Sequence, residues 1–159
     1  KPLCARHRVA LVINDDVEAA CISDVDGVHI GQGDMDAGLA RAAIGKKKIL
    51  GLSVETVSAA KHVPAKLVDY VGISPVYATK TKQDHKTPVG LDGLSDIVTA
   101  SPVSTVAVGG LKLADCECVM STGVNGIAVV SAICGQDDPE VASRQLKQAL
   151  DRIVRENDS

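Results

Sequence analysis

The sequence predicts an α/β fold built on a parallel sheet, and three patterns lead to that prediction. Short apolar runs alternate with helical segments six times, without a linker or low-complexity stretch between them. This alternation requires parallel strands joined by crossover helices. The chain contains two Tyr but no Phe or Trp, so its core is aliphatic, which suits strands covered by helices. The length of 159 residues suffices for one domain with its own core, and we assign residues 1–159 to a single domain.

Each strand is predicted where a short apolar run ends in polar or glycine residues. In chain order the predicted strands are residues 9–14, 27–30, 49–53, 70–74, 105–108 and 126–130. The helices between them are predicted by apolar spacing and by end signals, such as Gly45 and the basic run 46–48 after the second helix. In chain order the predicted helices are residues 17–22, 36–44, 54–62, 94–100, 113–121 and 139–155.

The number of units narrows the architecture to two choices. Six strand–helix units share 159 residues, which is about 26 residues each, whereas a closed eight-fold barrel needs roughly 200 or more. The chain is therefore an open doubly wound sheet or a barrel that lacks two units. A doubly wound nucleotide-binding fold has a glycine-rich phosphate turn after its first strand, and none follows residues 9–14. Polar residues follow every strand instead, which favours a TIM (β/α)8 barrel with about six βα units present.

Composition argues against several classes of partner. The net charge of −3 gives no basic surface for nucleic acid, and no run of 18 apolar residues predicts a membrane span. No signal peptide is visible in the sequence. The odd number of cysteines, without the spacing of a disulfide scaffold, predicts reduced thiols in a cytoplasmic protein. These cysteines are Cys4, Cys21, Cys116, Cys118 and Cys134.

Two carboxylates follow neighbouring strands of the predicted sheet. Asn14 and Asp15 come at the end of the first strand, and Asp34 follows the second. Since parallel strands end at one edge of the sheet, both carboxylates point to the same face and suit Mg²⁺ bound together with a phosphorylated substrate. The same pattern also fits Asp15 as a helix cap and Asp34 as a turn residue.

Hydroxyl, lysine and glycine residues follow the later strands. Thr79, Thr81 and Lys82 lie in a long polar loop and can bind phosphate, although a solvated surface loop has the same composition. The fifth strand ends in Gly109-Gly110, and Ser131 opens a helical turn after the sixth. The last two strands of a barrel often hold a phosphate at these positions, whereas a tight turn explains the glycines alone.

One further strand end contributes a polar side chain. Ser53 ends the third strand and is expected to point into the same mouth. His29 lies inside the second strand and is expected to be a hydrogen-bonded core residue. The sequence contains no G-x-S-x-G motif and no Cys–His pair at telling spacing, so it offers no candidate for nucleophilic catalysis.

Taken together, these segments resemble the thiamine-phosphate synthase (thiamine-phosphate pyrophosphorylase) family. The segments NDDV at 14–17 and DGVHIGQGD at 26–34 look like its metal-binding half. The segment DYVGISPV at 69–76, with T-x-T-K at 79–82 and P-x-G-L at 88–91, resembles its mobile loop. The segments VAVGG at 106–110 and GIAVVSAI at 126–133 resemble its phosphate end, so the resemblance covers nearly the whole chain in the same order.

The resemblance implies a (β/α)8-barrel transferase of thiamine biosynthesis. Such an enzyme joins hydroxymethylpyrimidine diphosphate and hydroxyethylthiazole phosphate into thiamine phosphate and releases diphosphate. By position, Asp15 and Asp34 would hold Mg²⁺ on the leaving diphosphate, and Lys82 would neutralise its charge, with Lys82 and Ser53 as the catalytic residues. The implied substrate-binding residues are Asn14, Ser53, Thr79, Thr81, Lys82, Gly110, Val130 and Ser131. The expected partners are small phosphorylated molecules, with homo-oligomer formation left open.

The sequence also departs from the family pattern. The family has two further βα units before position 9, including a Gln-x-Arg-x-Lys segment that helps to bind the diphosphate and pyrimidine, and this sequence contains no such segment. We therefore expect an N-terminally incomplete barrel, and the sequence leaves open whether this chain is active on its own or only as part of a longer parent. Ser74 stands where the family usually has Gly, which is expected to tighten the loop hinge.

Two other functions fit the same barrel. One is a thiazole tautomerase, a metal-free isomerase, against which the presence of both Asp15 and Asp34 argues. The other is a non-catalytic barrel that binds phosphorylated ligands or a partner chain. Loss of turnover on removing Asp15 would separate the synthase from the tautomerase, and binding without turnover would indicate the non-catalytic role.

Overall fold

The computed structural model describes residues 1–79 and 87–157 and places six strands in one parallel sheet. The sheet order follows the chain order from the first strand to the sixth. A doubly wound sheet reverses its strand order at a switch point, whereas a barrel wall does not. The partial barrel prediction is therefore confirmed. The strands are β1 Val12–Asn14, β2 Gly27–Ile30, β3 Ile49–Val54, β4 Tyr70–Ile73, β5 Ser104–Val108 and β6 Gly126–Ala128.

The helices follow the strands, and side-chain caps fix where several of them begin. Asp16 accepts a hydrogen bond from Ala19 N–H at 2.8 Å, and Thr56 accepts one from Ala59 N–H at 3.1 Å. Such caps satisfy N–H groups that have no partner inside the helix. The α-helices are α1 Pro2–Arg6, α2 Val17–Ile22, α3 Ala37–Ile44, α4 Val57–Lys61, α5 Gly90–Ala100, α6 Cys116–Met120, α7 Ser131–Cys134 and α8 Pro139–Asn157.

Several predicted boundaries were wrong, and local hydrogen bonds explain two of them. The fourth helix begins after the Thr56 cap rather than at residue 54, because β3 continues to Val54. The fifth helix begins at Gly90 rather than at residue 94, so the glycines at 90 and 93 belong to it. Its start is fixed by Val89 and Gly90, whose N–H groups donate to the carbonyls of Pro75 and Val76 at 2.9 and 3.0 Å.

The two faces of the sheet have different side chains. Successive residues of a strand point to opposite faces, so each strand contributes alternate residues to each face. The outward residues are aliphatic and lie beneath the helices, where full burial of each contributes about 1.5–3 kcal/mol. The inward residues of β2, β3 and β4 that face the open cavity are polar or glycine, whereas valines of β1 and β5 also line it. The buried outward residues include Val28, Ile30, Leu50, Leu52, Val54, Val71, Ile73 and Ala107.

The opposite end of the sheet is held by an arginine. The Arg41 guanidinium lies 2.7 Å from the Asp69 carboxylate and also donates to the carbonyls of Leu67 and Lys48. The same Asp69 oxygen accepts the N–H of Leu50 at 2.7 Å. These bonds fix the connections before β3 and β4. None of the helices in the described part of the chain is long and apolar enough to span a bilayer.

Candidate functional site

One cavity of about 1110 Å³ lies at the carboxyl ends of the six strands. Every predicted site residue that the structure describes lines it, and together they come from the ends of the six strands and the segments that follow them. These residues are Asn14, Asp15, Asp34, Ser53, Thr79, Gly110, Val130 and Ser131. Thr81 and Lys82 lie outside the described residues. The strand ends therefore bring together residues up to 117 positions apart in the chain, from Asn14 to Ser131.

The two carboxylates reach the cavity from adjacent loops. Asp15 has a left-handed backbone with φ of 68°, and its N–H donates to the His29 carbonyl at 2.7 Å. The helix-cap alternative for Asp15 was wrong, because Asp16 caps α2. The turn alternative for Asp34 is correct in part, since its Oδ2 accepts the N–H of Gly31 at 2.7 Å while the side chain also lines the cavity.

Carboxylate oxygens facing one cavity are suitable ligands for Mg²⁺, which commonly keeps several waters and takes substrate phosphates as further ligands. Asp34 uses Oδ2 for the Gly31 bond, which leaves Oδ1 available to a ligand. Within residues 1–79 and 87–157, no three His, Cys, Asp or Glu side chains form a group that could hold a metal ion. The donor set thus fits a metal whose coordination a bound phosphate completes, rather than an all-protein metal cage.

A histidine on β2 is the main candidate site residue that was not predicted from the sequence. Its Nε2 lies 2.9 Å from Ser53 Oγ, and its Nδ1 lies 3.0 Å from the Tyr70 hydroxyl. His29 is hydrogen-bonded, as expected, but it lines the cavity rather than the core. Burial raises the pKa of Tyr70, so the phenol stays protonated. Period-two alternation from Ser53 back to Gly51, and from Gly72 back to Tyr70, is the signal that could have identified this face.

Gln32 joins the loop that carries Asp34 to the end of β3. Its side-chain N–H donates to the Ser53 carbonyl at 2.8 Å. This bond places the acidic loop and the Ser53 hydroxyl in a fixed relation at the mouth of the cavity. Gln32 and Glu55 both line the cavity, and neither was among the predicted site residues.

The far side of the cavity is built from backbone. Gly109 and Gly110 have φ of 99° and 71°, in the left-handed region that favours glycine. A Cβ on Gly109 would lie 2.8 Å from Pro75 Cα, and one on Gly110 would lie 2.8 Å from the Ala78 carbonyl oxygen. Glycine is therefore required for the segment after β4 to pack on the end of β5.

Val130 and Ser131 complete this side. Val130 caps α7 through its carbonyl, which accepts the N–H groups of Ile133 and Cys134 at 3.1 and 2.8 Å. The helix begins at Ser131, as the predicted helical turn required. The N–H groups of its first residues have no partner within the helix and are available to an anion.

A second, shallow hollow of about 700 Å³ lies at the opposite end of β4 and β5. Asp69, Thr105 and Asn125 are among its lining residues, and Asn125 Oδ1 accepts the Thr105 N–H at 2.8 Å. None of the residues predicted to carry chemistry lines this hollow. The candidate active site is therefore the cavity at the carboxyl ends of the strands.

Comparisons with known proteins identify the family that the chain resembles. The family model for thiamine monophosphate synthase matches residues 1–133. The thiamine-phosphate synthase of Psychrobacter sp. (strain PRwf-1) is 50% identical over 142 residues, covering 87% of this chain and 67% of that protein. The thiamine-phosphate synthase of Chloroflexus aurantiacus is 44% identical over 156 residues, covering 98% of this chain and 71% of that protein.

Solved structures give the same result for the fold. The thiamine phosphate pyrophosphorylase of Pyrococcus furiosus superposes with a TM-score of 0.85 and 32% identity, covering 96% of this chain and 72% of that one. A 3-hexulose-6-phosphate synthase superposes with a TM-score of 0.68 at 20% identity, covering 94% of this chain and 78% of that one. The second likeness concerns the fold alone.

Proposed function

This chain belongs to the thiamine monophosphate synthase family, and we propose that its cavity joins hydroxymethylpyrimidine diphosphate to hydroxyethylthiazole phosphate. One observation carries the proposal: acidic groups from β1 and β2 share a cavity with the glycine and serine ends of β5 and β6. The reaction needs both sets, because a diphosphate leaves one substrate while the other substrate retains a phosphate.

The chemistry separates charge and moves no proton between protein groups. The bond from the pyrimidine methylene carbon to the diphosphate oxygen breaks, and its electron pair leaves with the diphosphate. The lone pair of the thiazole nitrogen then forms the new carbon–nitrogen bond. Fixed dipoles placed where charge develops, in a cavity that excludes water, accelerate such a step. Asn14 and Ser53 face the pyrimidine in this arrangement, and Thr79, Gly110, Val130 and Ser131 receive the thiazole phosphate.

Magnesium dependence is part of the proposal. Asp15 and Asp34 would hold Mg²⁺, which when bound neutralises the departing diphosphate. The two carboxylates fit this ion because both residues line one cavity and Mg²⁺ commonly takes waters and phosphate oxygens as its further ligands. We assign Thr81 to the thiazole phosphate and Lys82 to the diphosphate from the family resemblance. Cytoplasmic location and association into homo-oligomers remain predictions.

The first test combines both substrates with the purified protein and Mg²⁺ and follows thiamine phosphate by its thiochrome fluorescence. Asp15→Asn should lower kcat/KM by about 100-fold or more, because it weakens a ligand to the transition-state charge. Asparagine tolerates the left-handed backbone at this position, so the fold is retained.

Asp24→Asn is the matched control for Asp15→Asn. Asp24 also has a left-handed backbone, with φ of 46°, but its carboxylate pairs with Lys1 and Lys48 outside the cavity. This variant should have unchanged turnover. Binding of thiazole phosphate without any thiamine phosphate would contradict the synthase and support a non-catalytic barrel. Isomerisation of thiazole phosphate that survives Asp15→Ala would support the tautomerase instead.

A further inference from the structure

Three residues on adjacent strands form one row across the floor of the cavity. The register pairs His29 with Gly51, and Gly51 with Tyr70. The two side chains meet above the glycine, with ring centroids 5.4 Å apart and Nδ1 3.0 Å from the Tyr70 hydroxyl. A Cβ on Gly51 would overlap Nδ1 and lie 2.5 Å from the hydroxyl oxygen. Glycine at this position is therefore a condition for the contact between His29 and Tyr70.

The next row on this face of the sheet, toward the carboxyl ends of the strands, determines where the Nε2 end of the imidazole lies. The register pairs Ser53 with Gly72, and a Cβ on Gly72 would lie 3.0 Å from His29 Cε1. The ring therefore lies across the sheet in space that the two glycines leave open. Its Nε2 meets Ser53 Oγ at 2.9 Å. A continuous hydrogen-bonded line runs from Tyr70 through His29 to Ser53.

The direction of this line follows from the donors available. A neutral imidazole has one N–H donor and one acceptor nitrogen. The phenol of Tyr70 carries its proton, and across the described residues its hydrogen-bond partner is His29 Nδ1. A phenol is more acidic than a serine hydroxyl and is the stronger donor, so Tyr70 donates to Nδ1. Nε2–H then donates to Ser53 Oγ, and the Ser53 proton is left to point into the cavity.

We propose that Tyr70 is a positioning residue that holds His29 as its Nε2–H tautomer, so that Ser53 offers a hydrogen-bond donor to the bound substrate. The inference rests on the proposed function, in which Ser53 faces the pyrimidine. A pyrimidine ring nitrogen is an acceptor and suits a serine donor. An analogue with C–H in place of that nitrogen leaves the donor unpaired and should bind more weakly.

Nuclear magnetic resonance of the substrate-free protein tests the tautomer without any assay of turnover. Histidine labelled with ¹⁵N in its ring gives long-range correlations that distinguish the protonated nitrogen from the bare one. The His29 signals are assigned by their absence in His29→Gln. The wild type should show protonated Nε2, and Tyr70→Phe should show a mixture of tautomers. Protonated Nδ1 in the wild type would overturn the inference.

The kinetic test uses the two tyrosines of the chain as a matched pair. Tyr70→Phe should lower kcat/KM for the pyrimidine diphosphate by about 3- to 10-fold, the worth of one hydrogen bond, with KM for thiazole phosphate unchanged. Tyr77→Phe removes a hydroxyl that lies 3.9 Å from Cys118 Sγ, outside the cavity lining, and should change neither the tautomer nor the kinetics.

The two failures are distinguishable. If the wild type makes no thiamine phosphate, the proposed function is contradicted. If that protein still shows protonated Nε2, and Tyr70→Phe loses it, the role of Tyr70 in fixing the tautomer is supported. If the wild type is a synthase, and Tyr70→Phe changes neither the tautomer nor kcat/KM, then only the proposed role of Tyr70 is contradicted and the proposed function stands. Gly51→Ala should give the same tautomer mixture as Tyr70→Phe, whereas Gly126→Ala, where a Cβ meets nothing within 4 Å, should not.

Discussion

The two sides of the cavity differ in what lines them: polar side chains on one side and mainly backbone on the other. On the β1–β3 side, polar side chains line the cavity, among them Asp15, Asp34 and Ser53. On the β5–β6 side, glycines with left-handed backbones and the first turn of α7 face it. On the first side, side chains supply charge and hydroxyl groups. On the second side, backbone N–H groups face the cavity, and the absence of Cβ atoms lets the backbone segments pack closely.

This difference decides how each side responds to substitution. A side chain on a β-strand end can be shortened while the strand keeps its ladder bonds, so function can be lost with the fold intact. A Cβ added at the glycine side meets backbone that cannot move aside, so folding and binding fail together. The same comparison predicts that serines on the two sides of the cavity are not equivalent.

The largest expected effect is at Gly110. Gly110→Ala forces an L side chain into φ of 71° and places Cβ 2.8 Å from the Ala78 carbonyl oxygen. The free energy of unfolding should fall by about 3 kcal/mol, and the affinity for thiazole phosphate should fall with it. Urea unfolding and calorimetry measure the two quantities.

Gly45→Ala is the matched control, since Gly45 has φ of 79° but a Cβ there meets nothing within 4 Å. It should lose only the backbone component, about 1–3 kcal/mol, because its ψ of 174° lies in a region populated almost only by glycine, and it should keep full affinity for thiazole phosphate. An equal loss of affinity in Gly45→Ala and Gly110→Ala would show that the packing of the segment after β4 contributes nothing to the site.

The next effect tests the comparison directly with two serines. Ser53→Ala should lower kcat/KM by about tenfold, because the hydroxyl is the group presented to the substrate. Ser131→Ala should lower it by less than about threefold, since Ser131 is proposed to contribute chiefly its backbone N–H at the start of α7. Steady-state kinetics on both substrates measure these values. A reversal of the order would mean that the β6 side also acts through side chains.

A smaller effect is expected at Gln32, which joins the loop after β2 to the end of β3 on the same side of the cavity. Gln32→Ala removes the bond to the Ser53 carbonyl and loosens the loop that carries Asp34. The Mg²⁺ concentration for half-maximal activity should rise about fivefold while kcat at saturating Mg²⁺ stays nearly constant, because the ligand is displaced and not removed. Gln136→Ala, which removes a bond to the Ser131 carbonyl on the other side, should leave the Mg²⁺ requirement unchanged.

The acidic residues could be predicted from the sequence because topology alone fixes their place. Once the strands are parallel and ordered, residues just after them share one edge, whatever the details of side-chain packing. Asp15, Asp34 and Gly110 needed no knowledge of register for this. Because the strands have the predicted order, every predicted site residue that the structure describes lines one cavity.

The histidine line could not be predicted in the same way. His29, Gly51 and Tyr70 lie 22 and 19 positions apart in the chain, and they meet only because the registers of two strand pairs place them in one row. Sequence patterns give the face of a strand but not its register against the next. The start of α5 was mispredicted for a related reason, since the Val89 and Gly90 N–H groups donate to carbonyls 14 residues earlier, at the start of the same connection between β4 and α5.

The smallest effect concerns a carboxylate outside the cavity, where the chain itself supplies the counter-charge. Hydrogen bonds from Lys1 and Lys48 lower the pKa of Asp24 below its usual value of 3.8. A carboxyl with a lowered folded-state pKa stabilises the fold above its unfolded pKa and loses that stabilisation as the pH falls through the folded value. Asp24→Asn should therefore be slightly less stable than the wild type at pH 7, and the difference should shrink as the pH falls below about 3.8. Urea unfolding at pH 7 and pH 3 measures it, and a difference that stays constant between the two would mean that the lysine pairs do not persist in solution, as surface pairs often do not.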